Sequence, residues 1–318
     1  MMKRMAVTGA VTMLGLAALL QGAEVPAASA AAPATVKPPR MLVASANKGA
    51  AFILSPENTI EWEYKMPGSC CQEAWMLPSG NVLLCCGSTV REVTKDKQIV
   101  WEYKSPAGVK TEIHSCQPLP NGNALIAEGG TSRLIEVDKK GAIVKEIKLE
   151  VKGNAHSHTR AVRMRQDGTF TVTAMGEATI IDYDQNAKRC WTLTAAEMGK
   201  QGISWKAVHS FIRLPNGNTL VSGGHAPTLA EVTPAKKVVW QFTSADAPEL
   251  GLTYSASFQL LPDNTLIMAA YDSKTKIYAI NKESKKVLWT IVNKDIGNPT
   301  NIMVLDGVDN AKPWTLQR

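Results

Sequence analysis

Five stretches of the chain set an apolar run against a tight polar turn and then a second apolar run. They read "MLPSGNVLLCCG" with Asn81, "PLPNGNALIAEG" with Asn123, "RMRQDGTFTVTAMG" with Thr169, "RLPNGNTLVSGG" with Asn218 and "LLPDNTLIMAAY" with Asn264. The marked positions lie 42, 46, 49 and 46 residues apart, a period that signals a repeat architecture. Proline presets φ for a turn and Gly or Asn accepts positive φ, so each Leu-Pro-Asn-Gly predicts a hairpin. A third run of the type "RLIEVD" or "TLAEVT" follows. After a turn rich in Lys, Asp and Gly comes a fourth run built on a tryptophan. Trp101, Trp191, Trp240 and Trp289 hold one place in the unit, where the second unit has Lys145. Four antiparallel strands in each unit make a β-propeller blade.

Both ends carry pieces of a sixth unit. Residues 41–65, "MLVASANKGAAFILSPENTIEWEYK", supply strands two to four with Trp62 in the tryptophan place, and "NIMVLDG" at 301–307 supplies a first strand. Joined, they close a ring and remove the exposed edges of an open sheet. The prediction is an all-β, six-bladed propeller of four-stranded antiparallel blades over residues 41–318, closed by N- and C-terminal strands.

Ahead of it, Lys3 and Arg4, the apolar run Met5 to Leu20 and Ala28-Ser29-Ala30 have the form of a secretory signal peptide over residues 1–30. Residues 31–40 read as a linker, and the mature chain is expected to start between residues 22 and 35. No other segment is apolar for long enough to span a bilayer. The expected location is periplasmic or secreted, and the expected state a monomer. Removing residues 1–30 leaves a net charge of +6, scattered over turns such as Lys139-Lys140 and Lys236-Lys237. Such a surface favours an anion, a glycan or an envelope protein as partner, and no basic-aromatic stripe of the kind nucleic acid needs is present.

The chemistry gathers on one face. In a four-stranded meander the start of the first strand and the end of the second lie opposite the Leu-Pro-Asn-Gly turns. His114 and His209 begin first strands, His156 and His158 precede one, and His225 follows a second strand. Counting back five residues from the Leu119 place gives Gln72, His114, Arg160, His209, Ala256 and Pro299. The first strand is innermost, so these positions should surround one channel mouth, with His158 and His225 on its rim. Two imidazoles and a guanidinium there suit an oxyanion, or acid-base and nucleophilic work. No cofactor is expected. Imidazoles and thiolates leave a metal as an alternative, with His156-x-His158 the only close histidine pair. Six cysteines in an exported chain suggest disulfides. Cys70, Cys71, Cys85 and Cys86 are the candidates, either as Cys71 to Cys86 across the first hairpin or as a vicinal Cys70-Cys71 bridge.

The unit "LPNGNxLIxxG…hxEhDxxGxhhWxh" resembles two kinds of exported bacterial propeller, the quinoprotein-like (PQQ-binding-like) repeat and the arylsulfotransferase type. Quinoprotein dehydrogenases have eight blades and calcium-binding carboxylates that find no counterpart here, so the quinone is not carried over. Arylsulfotransferases are longer, with an added N-terminal domain. That second resemblance implies His114 and His209 in "HS…LPNGN", with Arg160 in the same register, as site residues. One histidine would accept a sulfuryl group covalently, the other would move a proton, and Arg160 would hold the oxyanion.

Overall fold

Each Leu-Pro-Asn-Gly turn forms as its chemistry requires. In the first, the Gly80 N–H donates to Leu77 O at 2.9 Å and the Leu77 N–H to Asn81 O at 2.8 Å, with Gly80 at φ +83°. In the last turn Asn264 takes the place of Gly80 and Gly122, donating to Leu261 O at 3.1 Å with φ +64°, so it stands for the glycine rather than the motif asparagine. The computed structural model describes residues 36–68, 70–316 and 318. Residues 1–35, which include the signal peptide expected at 1–30, lie outside the described residues.

Six four-stranded antiparallel sheets result. Their first strands are Glu73–Met76, Ile113–Pro118, Val162–Met164, Phe211–Arg213, Phe258–Leu260 and Pro299–Val304. Blades one to five take their strands in chain order. The sixth pairs Pro299–Val304 with Met41–Ser45, placing Met41 opposite Val304 and Val43 opposite Ile302. The chain is therefore a six-bladed propeller sealed by strands from both ends. Second strands such as Val82–Cys86 and Ala124–Glu128 are buried at every position, because each is covered by a blade on either side and reads as a continuous run. Fourth strands lie outermost, as the mostly exposed Ile143–Lys148 illustrates.

The tryptophan place joins blade to blade. Trp62 Nε1 donates to Lys95 O at 2.8 Å, Trp101 to Asp138 O at 3.0 Å and Trp191 to Pro234 O at 2.9 Å, in each case a carbonyl in the next blade's turn. The asparagine after each Gly has a partner too. Asn81, Asn123 and Asn218 donate through Nδ2 to Glu92, Glu136 and Glu231 of the third strand at 2.6–2.7 Å. Lys139 and Lys282, from the following blades, then reach Glu92 and Glu231. The turn half of the motif is thus structural throughout. No helix among the described residues is long and apolar enough to cross a membrane.

Neither expected bridge, Cys71 to Cys86 or the vicinal Cys70-Cys71, is present. All six cysteines are free. Cys85 lies opposite Glu73 in the first hairpin, so side-chain alternation puts Cys71 on the face of Cys85 and Cys70 on the face of Cys86. Cys71 and Cys86 therefore face apart, as do the vicinal pair. The thiols of Cys70 and Cys86 meet instead, with Sγ atoms 2.6 Å apart. Cys71, Cys85 and Cys116 are wholly buried and burial pushes all three thiols up.

Candidate functional site

First strands of blades five, six, one, two and three touch in turn about one axis. Their starts form a narrow throat with about 20 Å³ of free space, room for one water. Gln72, His114, Arg160 and His209 all line it, together with Ser257 and Thr300. Above the throat a cavity of about 1080 Å³ opens on the histidine face, sharing Gln72 and His114 and adding Cys70, Cys86, Glu112, His156 and Tyr271. Four positions obtained by counting back along strands therefore meet at one place.

Arg160 Nε donates to His209 Nε2 at 2.8 Å. His209 thus presents a lone pair, and burial, with Arg160 second, holds its pKa well below the ordinary value. The guanidinium is half-buried, and no carboxylate pairs with it among the described residues. The other channel-side arginines are engaged. Arg163 meets Glu73 at 2.5 Å, Arg213 pairs with Asp182, and Arg165 donates to Thr169 and Thr171. These three line a separate cavity of about 730 Å³ on the turn face, where Arg318 also packs over Trp75 at 3.9 Å. Burial and the lack of a carboxylate leave Arg160 as the throat's unneutralised charge.

His114 is 4 % exposed and fixed at both nitrogens. Its Nδ1 lies 3.0 Å from Thr159 O, and a carbonyl can only accept, so Nδ1 carries the hydrogen. Nε2 then faces Glu112 Oε2 at 3.2 Å. Burial and the Arg160 charge bring the ring's pKa down to about 4. His156 Nδ1 approaches the same Oε2 at 2.7 Å, and its ring stands edge-on to His114 at 5.3 Å. Contact with His114, then with His156, holds the Glu112 carboxyl down at about 2 against its burial.

Sequence reasoning missed Glu112. Glu112 lies in the irregular segment just before the strand Ile113–Pro118, whose register shifts at His114, so no strand count reaches it. His158 lies elsewhere than the rim expected of it. His158 closes the turn at Asn154, its N–H donating to Asn154 O at 2.9 Å, and it lines neither the throat nor the cavity. It is 0 % exposed and both ring nitrogens lack partners. His156, not His158, reaches the cavity. His225 is exposed and stacks edge-on against Tyr254 at 4.5 Å, and Tyr254 in turn touches His209 and Tyr271. It belongs to the outer side of the same aromatic patch.

Cys70 also lines the cavity, and its bond from Cys86 brings its pKa down to about 7, while Cys86 is pushed up by the same contact.

No known family profile matches the chain, and no curated protein sequence matches it. Solved structures do. A protein of unknown function from Bacteroides caccae is 21 % identical, with a TM-score of 0.71 over 83 % of this chain and 98 % of that one. A catalytically inactive virginiamycin B lyase from Staphylococcus aureus, solved with quinupristin, is 12 % identical with a TM-score of 0.56, covering 77 % of this chain and 83 % of its own. BBS1N in complex with ARL6DN is 13 % identical with a TM-score of 0.52, over 80 % and 76 %. At these identities the likeness is one of fold, and it places the chain among the β-propellers.

Proposed function

We propose that the chain is an exported propeller that binds a small oxyanion-bearing ligand in the histidine-face cavity, drawn by the Arg160 charge in the throat beneath it. The observation that carries this reading is a half-buried guanidinium that hydrogen-bonds the His209 ring and has no paired carboxylate among the described residues. A guanidinium is costly to desolvate unless an anion joins it, and its fork of donors matches carboxylate, sulfate or phosphate. The cavity above, about 1080 Å³, is large enough for the rest of a small molecule or a glycan unit. His209 orients Arg160 through Nε2, and Gln72 beside it adds an amide. A periplasmic or secreted location, which rests on the signal peptide expected at residues 1–30, is part of the proposal.

Covalent transfer through a histidine has less support. His209 Nε2 is occupied by Arg160, and His114 Nε2 faces Glu112, so neither ring points a free lone pair into the cavity.

Melting the protein in sulfate, phosphate or acetate against chloride at matched ionic strength tests the binding reading. A specific anion should raise Tm, since saturation at 100 times Kd stabilises by about 2.7 kcal/mol. Arg160→Gln should abolish the rise. An equal rise in the variant, or none in the parent, would sink the proposal.

A further inference from the structure

We propose that Glu112 Oε2, His114 Nε2 and His156 Nδ1 form a binding site for a divalent transition-metal ion, with zinc the ion that best suits the donors, opening onto the histidine-side cavity. This goes beyond the oxyanion reading, which uses none of these three groups.

The geometry has the parts of such a site. The three ligand atoms lie within 4.8 Å of one another. Two imidazoles and one carboxylate are a donor set that zinc takes with a fourth position left open, and here the open side is the cavity. His114 has the outer partner that ligating histidines keep, its Nδ1–H donating to the Thr159 carbonyl, which fixes the tautomer and aims Nε2 at Glu112. His114 Nε2 lies 3.2 Å and His156 Nδ1 2.7 Å from the same carboxylate oxygen, so the three donors converge at one point beside the cavity.

The backbone holds the donors in place. A Cβ at Gly129 would stand 2.2 Å from Ala155 O, and one at Gly130 would stand 1.6 Å from Lys110 O. The Gly129 N–H donates to Glu112 O at 3.0 Å. Two glycines thus let the segments carrying Glu112 and His156 pack directly on the end of a second strand, which preorganises the ligands. Cys70 and Cys86 share the cavity but fall outside the ligand cluster and contact each other.

The test is calorimetric titration of the metal-free full chain with zinc, and with cobalt(II) as the spectroscopic probe. One ion per chain is expected. His156→Ala and Glu112→Gln should each weaken zinc binding by at least the about 10–100-fold that loss of an outer-shell partner brings. The His156 side chain is 60 % exposed, so His156→Ala should melt where the parent does and keeps the test independent of folding. The cobalt complex should show ligand-field absorption without a thiolate charge-transfer band, and Cys70→Ser with Cys86→Ser should leave it unchanged. Arg160→Gln, which supplies no ligand, should retain zinc, so failure of the oxyanion reading and failure of this one are separable. Absence of stoichiometric binding, affinity indifferent to His156→Ala and Glu112→Gln, or binding lost with the cysteines would each overturn the proposal.

Discussion

Glu231 and Glu136 occupy the same place in blades four and two, and they separate two contributions to the ring. Both accept from the motif asparagine, Asn218 or Asn123, at 2.6 Å. Only Glu231 also meets a lysine of the next blade, Lys282 Nζ at 2.5 Å, with side chains 7 % and 17 % exposed. In blade three the corresponding turn offers Gln185 in place of a lysine. Replacing glutamate with glutamine keeps an amide oxygen for the asparagine and removes the charge. Glu136→Gln should therefore change stability by no more than about 0.5 kcal/mol. Glu231→Gln strips a mostly buried lysine of its counter-charge. An exposed pair is worth at most about 1 kcal/mol, and a hydrogen bond to a charged group about 1.5–3 kcal/mol. Burial here favours the second scale, tempered because Lys282 keeps its place over the Trp240 ring at 5.1 Å. The expected loss is about 2 kcal/mol, or roughly 4–8 °C in Tm for a domain of this size. Differential scanning calorimetry of the two variants decides the matter. Equal shifts would show that the inter-blade lysine contributes nothing and that the Asn–Glu contact alone explains the motif.

Trp101→Phe removes the indole donor to Asp138 O and should lower stability by about 1 kcal/mol, whereas Trp240→Phe, whose Nε1 has no partner, should lose less, as denaturant melts of the pair will show. His209 sets an acid-side slope. Its folded pKa lies well below the ordinary 6.5, so below pH 6.5 the unfolded chain takes up a proton that the native ring refuses, and stability falls as pH falls. His209→Gln, still able to accept from Arg160, should flatten the decline of Tm between pH 7 and pH 5, and an unchanged slope would show that the ring titrates normally.

The fold was legible because its signals are local and periodic. Leu-Pro-Asn-Gly demands a turn wherever it occurs, the tryptophan returns once per blade, and leftover strands at both ends have one economical use. The throat was legible for a related reason. Gln72, Arg160 and His209 still pair their backbone N–H with the second strand, at Cys85, Thr173 and Ser222, so counting back from the turn keeps them, with His114, near one level. Where the chain stops being extended the count fails. His158 sits in the Asn154 turn and points inward, and Glu112 was hidden by the irregular segment before its strand. The cysteines failed on parity. A register off by one residue exchanges the faces of a strand, and Cys71 to Cys86 is one residue from the contact that forms, Cys70 to Cys86.

The seam in blade six governs how the ring assembles. Met41–Ser45 and Pro299–Val304 are about 260 residues apart in sequence, yet they pair along their length. Bringing such distant segments together carries a loop-closure entropy on the order of 5 kcal/mol, most of which is already met once the five intervening blades have stacked and fixed the ends near each other. The pairing should therefore form last and open first. Until then Met41–Ser45 presents a bare strand edge to other chains, so slow completion of the seam, rather than a weak core, is the step at which this protein is most exposed to aggregation.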